Sequence, residues 1–209
     1  MIRYFALVIS ALFHPLFMPL IGMYVIIQDN IIMRLILPVE LHHFIYLTFF
    51  VCTILFPALT IAGLKIRGAV SSLHLPTKEE RKIPLLAGNI YYFLAFWIIQ
   101  SVWLSTVLNA VMISGMAILV LVLMINYRFK ISIHMAALGS LTGLLTVYTG
   151  KMSLDHPEIL YILVGISGLV GFARMALKAH SSAELISGYF TGFITQYILL
   201  NWVFQSVWP

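Results

Sequence analysis

The side chains best suited to chemistry lie in one short stretch near the end of the chain, between two long apolar runs. Arg174, Lys178, His180 and Glu184 fall within eleven residues of a protein in which only 9% of residues are charged. Ionisable groups at the boundary of a membrane span are costly to keep there and usually mark a functional site. A cation, an imidazole and a carboxylate together are typical of phosphate chemistry. We therefore interpret this stretch as half of a phosphate-handling site.

The spacing of His180 and Glu184 is the most informative part of this pattern. Because they are four residues apart, their side chains share one face of a helix. A carboxylate bonded to one imidazole nitrogen makes the other nitrogen a better nucleophile or base. Arg174 carries a planar fork of donors that fits phosphate oxygens, but on an unbroken helix it would lie about 240° from His180. A break near residues 178–182 is therefore expected.

The residues after the expected break allow two interpretations of Glu184. Ser181 and Glu184 have the spacing of a capping box, which begins a new helix and so supplies the break. In the functional interpretation Glu184 also orients His180. In the structural interpretation Glu184 only caps the helix, and His180 is only an interfacial histidine.

Two earlier clusters contain the other groups that a phosphate site needs. Ser132 and His134 begin an apolar run, where a hydroxyl and the amides of a helix N-terminus favour an anion and the imidazole can protonate a leaving oxygen. Lys78, Arg81 and Lys82 are spaced so that two of them can clamp a phosphate from one helical face. Each cluster also has a simpler interpretation, as an interfacial histidine beside a basic loop and as a solvated run of charges.

Composition places these clusters in a membrane protein. Hydrophobic residues make up 62% of the 209 residues and the mean hydropathy is +1.03, whereas a soluble domain is about a quarter charged. The apolar runs are continuous, which indicates an all-α polytopic helical bundle and not a barrel of alternating strands. The one cysteine, Cys52, excludes an intramolecular disulfide and a Cys-rich metal site. The net charge is +5, and the basic residues that produce it lie beside the spans, so it does not indicate nucleic-acid binding.

The apolar runs predict a single integral membrane domain, residues 1–209, with about six to seven transmembrane helices. One span needs about 20 residues, so the long run 85–124 is expected to contain two spans with a turn near Ser105–Asn109. His14–Pro15 and Pro19 predict a bend in the first span. The predicted spans are residues 5–27, 42–64, two within 85–124, 131–149, 159–175 and 185–205.

Alternation of the loops predicts that the three clusters lie on one side of the membrane. The N-terminus, Lys65–Pro84, Asn126–Lys130 and residues 174–184 share that face, which also carries most of the lysines and arginines. The positive-inside rule places such a face in the cytoplasm. We expect a multi-pass protein of the bacterial inner membrane.

The order of the clusters resembles the three signature motifs of the type 2 phosphatidic acid phosphatase superfamily. Arg174, His180 and Glu184 reproduce the Arg-x5-His-x3-acid spacing of the third motif, and Gly188 and Gly192 follow it, as they often do in members. The resemblance covers residues 78–192 and leaves the first two spans, 5–27 and 42–64, outside it.

The other two motifs match less fully. Ser132 and His134 match the second motif, Pro-Ser-Gly-His, although isoleucines replace its proline and glycine. The first motif, Lys-x6-Arg-Pro, is matched only in kind, because Arg81 and Pro84 are not adjacent. In the third motif, alanine replaces the serine before the arginine, and Glu184 replaces an aspartate.

The resemblance implies a reaction through a phosphohistidine, without a metal or other cofactor. His180 would attack phosphorus, Glu184 would orient its imidazole, and His134 would protonate the leaving alcohol and then activate water. The phosphate oxygens would be held by Arg174, by Ser132 and by one or more of Lys78, Arg81 and Lys82. The implied substrate is a lipid phosphate or diphosphate, such as phosphatidate, phosphatidylglycerol phosphate or a polyprenyl diphosphate.

Two other functions stay open from the sequence. A non-catalytic or transport protein on the same scaffold would use the basic cluster to bind lipid head groups. A lipid-head phosphotransferase would pass the phosphate to an alcohol instead of water. The membrane face also stays open, because members of the resembling family often act on the outer face while the charges here point inward.

Overall fold

The fold is a bundle of helices, seen in a computed structural model that describes residues 1–29, 34–35, 37–100, 106–151 and 154–207. This part of the chain contains eight helices and no strand, which confirms the all-α class. The helices are α1 (Ile2–Leu12), α2 (Met18–Gln28), α3 (Val39–Ile66), α4 (Lys82–Gln100), α5 (Thr106–Arg128), α6 (Ile133–Lys151), α7 (Glu158–Ala176) and α8 (Ser182–Val207).

Four of these helices are long and apolar enough to cross a membrane. They are α3, α4, the Leu108–Arg128 part of α5, and α7. The helices α1 and α2 are apolar but shorter. The predicted total of six to seven spans stays a prediction. The turn predicted near Ser105–Asn109 lies partly outside the described residues, and Asn109 itself lies within α5.

Prolines interrupt two of the apolar helices. The bend predicted at His14–Pro15 is confirmed, since α1 ends at Leu12 and α2 begins at Met18. Proline has no N–H, and its ring collides with the carbonyl four residues earlier, so α1 cannot continue through Pro15. Within α3, a π-helical segment, Phe50–Leu55, precedes Pro57, and such a segment relieves the same collision.

The break predicted between Arg174 and His180 is also confirmed. Helix α7 ends with the backbone of Lys178 in the left-handed region, at φ +53°. The N–H of Lys178 bonds to the Met175 carbonyl at 2.8 Å, and the N–H of Ala179 bonds to the Arg174 carbonyl at 3.1 Å. These two bonds form a Schellman motif, which reverses the chain before α8 begins.

Helices α6 and α8 pack against each other at backbone contact and run in the same direction. Gly139 and Gly143 on α6 face α8, and Gly188 and Gly192 on α8 face the α6 segment. A β-carbon added at any of these four positions would lie 2.6 Å or less from a backbone carbonyl oxygen of the facing segment. Small residues four apart are a common device for bringing membrane helices together. Here they bring the start of α6 beside the start of α8.

Filling this contact should destabilise the bundle. We expect Gly192→Ala to lower the free energy of unfolding by about 1–3 kcal/mol, because the added methyl group forces the two backbones apart. The measurement is unfolding in detergent followed by tryptophan fluorescence. Gly168→Ala on α7 is the control: a β-carbon there has nothing within 4 Å, so the variant should be unchanged or slightly stabilised. Equal changes in the free energy of unfolding for the two variants would contradict a stabilising role of the contact between α6 and α8.

Candidate functional site

Parts of all three predicted clusters meet at one cavity of about 460 Å³. Its lining contains one group of cationic and imidazole side chains, while most of the remaining lining is apolar and comes from α2 to α6. Among the described residues, no aspartate or glutamate lines it. The polar group consists of His14, His74, Arg81, His134, Arg174 and His180. A cavity with this lining favours an amphiphile with an anionic head.

His180 and Glu184 form the closest polar contact of the site. The Nδ1 atom of His180 lies 2.7 Å from Glu184 Oε2, and the imidazole side chain is only 1% exposed. On its other side, His180 Nε2 lies 3.5 Å from Nη2 of Arg81. Arginine can only donate and a carboxylate can only accept. The hydrogen therefore lies on Nδ1, and Nε2 keeps the lone pair that a nucleophile needs.

Glu184 serves both of the roles that the sequence left open. It accepts the hydrogen bond from His180, and it also caps α8. The N–H of Glu184 bonds to Ser181 Oγ at 3.3 Å, and the N–H of Ser181 bonds to Glu184 Oε2 at 3.4 Å, which is the reciprocal pattern of a capping box. Because the cap fixes the carboxylate at the helix end, it also fixes the imidazole that the carboxylate holds.

Arg81 is held rigidly beside His180. Its Nε donates to the Leu75 carbonyl at 2.8 Å and its Nη1 donates to the Ile131 carbonyl at 3.0 Å. Burial, together with the nearby charge of Arg174, lowers the pKa of Arg81 to about 10, so the guanidinium keeps its charge at neutral pH. Two backbone carbonyls thus aim a permanent positive charge at the lone-pair nitrogen of His180.

Arg174 is buried in the cavity wall without a counter-ion. Only 6% of the residue is exposed. In the described part of the chain, its Nε has no hydrogen-bond partner and its guanidinium forms no salt bridge. A buried charge without a partner destabilises a fold by several kcal/mol. An anion in the cavity would supply the missing partner, so this side chain indicates a binding site for one.

His134 and Ser132 differ in where they point. His134 lines the cavity, and its Nε2 lies 3.1 Å from the backbone carbonyl oxygen of Ser10. Ser132 is fully buried but does not line the cavity. Its N–H bonds to the Glu184 carbonyl at 3.1 Å, and its hydroxyl lies 3.5 Å from the N–H of Met135. Ser132 therefore connects the starts of α6 and α8, and its hydroxyl as a phosphate ligand stays a prediction.

The structure does not bring Lys78 and Lys82 to the cavity lining. The ammonium of Lys82 lies 4.9 Å from the centre of the Tyr127 ring, a cation–π contact on the side of α5. Lys78 is half-buried, and its carbonyl accepts a hydrogen bond from Asn126 at 2.7 Å. Of the three predicted cations around the start of α4, Arg81 alone faces His180.

Three residues near the site were not among the predicted site residues. His14 and His74 line the cavity, and Lys130 bonds to the Ala179 carbonyl at 2.9 Å, which ties the loop before α6 to the loop before α8. The sequence predicted the bend at His14–Pro15, but it did not predict that His14 would contact His134. Lys130 stands two residues before Ser132, so its proximity could have been found from the resemblance.

His180 is neutral at physiological pH because of its surroundings. Burial is the main cause that lowers its pKa, from 6.5 to about 4, and the hydrogen bond to Glu184 opposes this. The charges of Arg81, Arg174 and Lys130 lower the pKa further. A neutral imidazole is the form that can attack phosphorus.

The titration of His180 should follow this balance. We expect histidine NMR of the protein in detergent to show His180 neutral down to pH values well below 6.5. Glu184→Gln should lower its pKa still further, because the imidazolium loses its anionic partner. As the pH falls, His180 takes up a proton in the unfolded chain before it does so in the folded protein. The stability that neutral His180 contributes is therefore lost as the pH falls from 6.5 towards 4. A pKa of His180 near 6.5 in the folded protein would contradict the described environment.

We expect Arg174 to lower the free energy of unfolding and to bind an anion. Arg174→Met keeps the volume and removes the unpaired buried charge, so we expect unfolding to require about 1–4 kcal/mol more. Inorganic phosphate should raise the melting temperature of the wild type and have no effect on the variant. Arg128→Met, at an exposed arginine, is the control and should change neither quantity. A destabilised Arg174→Met that still responds to phosphate would contradict the anion site.

No family model, curated protein or solved structure matches this chain. The side chains that line the cavity, with their burial, charge and hydrogen bonds, are therefore the features that bear on function. Those side chains combine the neutral imidazole of His180, three further imidazoles and two buried guanidinium groups.

Proposed function

We propose that the chain is a membrane-embedded lipid phosphatase, a divergent member of the type 2 phosphatidic acid phosphatase superfamily. In this proposal it hydrolyses a phosphate or diphosphate monoester of a lipid through a phosphohistidine. One observation carries the proposal: the lone-pair nitrogen of His180 lies beside Arg81 in a cavity that also contains the buried guanidinium of Arg174, which forms no salt bridge with any described residue. The proposed nucleophile and the charge-stabilising groups thus share one buried site, where electrostatic stabilisation is stronger than in bulk water.

The first step transfers the phosphoryl group to the protein. The lone pair of His180 Nε2 forms a bond to phosphorus, and the bond from phosphorus to the lipid oxygen breaks. The electron pair of that bond stays on the leaving oxygen, which takes the Nδ1 proton of His134 in its imidazolium form. Arg81 and Arg174 stabilise the negative charge that spreads over the phosphoryl oxygens.

The second step releases inorganic phosphate. His134, now neutral, takes a proton from water while the water oxygen bonds to phosphorus. The nitrogen–phosphorus bond breaks, and its electron pair returns to His180 Nε2. Glu184 stabilises the imidazolium character that His180 acquires in the intermediate, because its carboxylate accepts the Nδ1 hydrogen at 2.7 Å.

The shape and lining of the cavity support a lipid as the substrate. Apolar side chains of α2 to α6 continue from the polar group and offer a surface for a hydrocarbon tail. Phosphatidate, phosphatidylglycerol phosphate and polyprenyl diphosphate share this combination of anionic head and apolar tail. The proposal places the protein, with six to seven spans, in a bacterial inner membrane.

The test is release of phosphate from a panel of these lipid phosphates in detergent, without added metal. We expect wild-type protein to release phosphate and His180→Ala to release essentially none. The intermediate should be trapped as a phosphoprotein that is labile in acid and stable in base, as phosphohistidine is. His43→Ala, at an exposed histidine in α3, is the matched control and should keep full activity.

Other outcomes identify the alternatives. Binding of lipid phosphate that survives His180→Ala, with no turnover by the wild type, would identify a non-catalytic or transport protein. Transfer of phosphate to an added alcohol, in preference to water, would identify a phosphotransferase with the same intermediate.

A further inference from the structure

The helix break at Pro15 leaves the Ser10 carbonyl, like the other carbonyls in the last turn of α1, without its usual helical partner. In a continuous helix, the N–H of His14 would bond to the Ser10 carbonyl. Because α1 ends at Leu12, that bond is not formed in the described structure. The Ser10 carbonyl instead lies 3.1 Å from Nε2 of His134, at the start of α6. The imidazole thus takes the place of a backbone donor at the C-terminus of α1.

This contact determines which nitrogen of His134 can exchange protons. A carbonyl oxygen has no hydrogen to donate, so the hydrogen of the pair must lie on Nε2 of His134. The lone pair of neutral His134 is therefore on Nδ1. The C-terminus of a helix also carries partial negative charge, which stabilises an imidazolium.

The same break places a second ring against His134. The rings of His14 and His134 are 5.3 Å apart between centroids and stand edge to face, at 77°. Both residues and Ser10 line the cavity. The ring of His134 is thus held by a hydrogen bond at one nitrogen and by an aromatic contact from the same segment.

We propose that the α1–α2 break is the positioning element for the acid–base histidine: the carbonyl of Ser10 holds Nε2–H of His134, so that Nδ1 exchanges protons with the substrate and with water. This inference rests on the proposed phosphatase function. The break belongs to the part of the chain outside the resemblance to the phosphatase family. The Ser10 carbonyl does for His134 what Glu184 does for His180.

Three charged or titratable groups face His134 besides the Ser10 carbonyl. They are Arg174 on α7, His14 in the break and His180 before α8. Arg174 places a positive charge near this ring, and a negative partner offsets that charge when the ring takes up a proton. The Ser10 carbonyl, with the helix dipole behind it, is such a partner.

The test is Pro15→Ala, which allows α1 to continue through residue 15. Alanine is about 3 kcal/mol more favourable than proline within a helix, so the His14 N–H should take the Ser10 carbonyl away from His134. General acid catalysis is worth roughly 10²–10⁴-fold, and an unoriented acid should forfeit part of it. We expect kcat/KM for phosphatidate to fall by at least about tenfold. For p-nitrophenyl phosphate, whose leaving group needs no proton, kcat/KM should change little.

The ratio of the two values separates positioning from general damage. Equal losses with both substrates, or no loss with either, would overturn the proposal. Pro157→Ala, at the residue before α7, is the control and should leave both values unchanged. Thermal unfolding in detergent shows whether each variant is folded.

A second measurement tests the inference without turnover. Nitrogen-15 NMR of histidine-labelled wild-type protein distinguishes the two neutral tautomers, and the signal of His134 is assigned from its loss in His134→Gln. The Nε2–H tautomer is expected, and the Nδ1–H tautomer would overturn the proposal even if Pro15→Ala fails to fold. Absence of phosphate release by the wild type, together with the Nε2–H tautomer, would refute the phosphatase function and leave the positioning contact standing.

Discussion

The contact between α6 and α8 is the constraint on which the site depends. Glycines on both helices let the backbones approach until no β-carbon fits between them, and the Ser132 N–H then reaches the Glu184 carbonyl at 3.1 Å. Residues that are about fifty positions apart in the chain thus become neighbours. Small residues that face each other allow this close packing, and the packing itself then contributes attraction between the two helices. The glycines that follow the histidine motif are in this sense part of the site.

The cavity brings together buried charged groups, each of which lowers the stability of the fold. Two buried guanidinium groups repel each other, and each lowers the pKa of His180. Burial and these charges together keep the imidazole neutral, and among the described residues Nε of Arg174 has no hydrogen-bond partner. A fold tolerates such an arrangement when the rest of the bundle is stable enough to hold it. An anionic head group would relieve the repulsion and satisfy the guanidinium at once, so the strain of the site and its ligand preference have one cause.

Local sequence patterns predicted the helix ends around the site better than they predicted which side chains line the cavity. The break before His180, the capping box and the bend at Pro15 all follow from backbone chemistry within a few residues, and all three are present. The direction of a juxtamembrane lysine depends on tertiary neighbours, which explains why Lys82 lies over Tyr127. The left-handed residue that ends α7 is a lysine in place of the usual glycine, so no local signal marked it.

Contacts between residues far apart in the sequence could not be predicted from motif spacing, and the first helix makes such a contact. Pro15 indicated a bend, yet a bend has a function only through what its free carbonyl meets, and here it meets His134 across more than a hundred residues. The three motifs bring His180, His134 and two guanidinium groups to one cavity, but they do not by themselves orient His134. That orientation comes from a helix outside the motifs. The catalytic unit of the proposed enzyme is therefore larger than the segment 78–192, and removal of the first two helices would leave His134 without its partner.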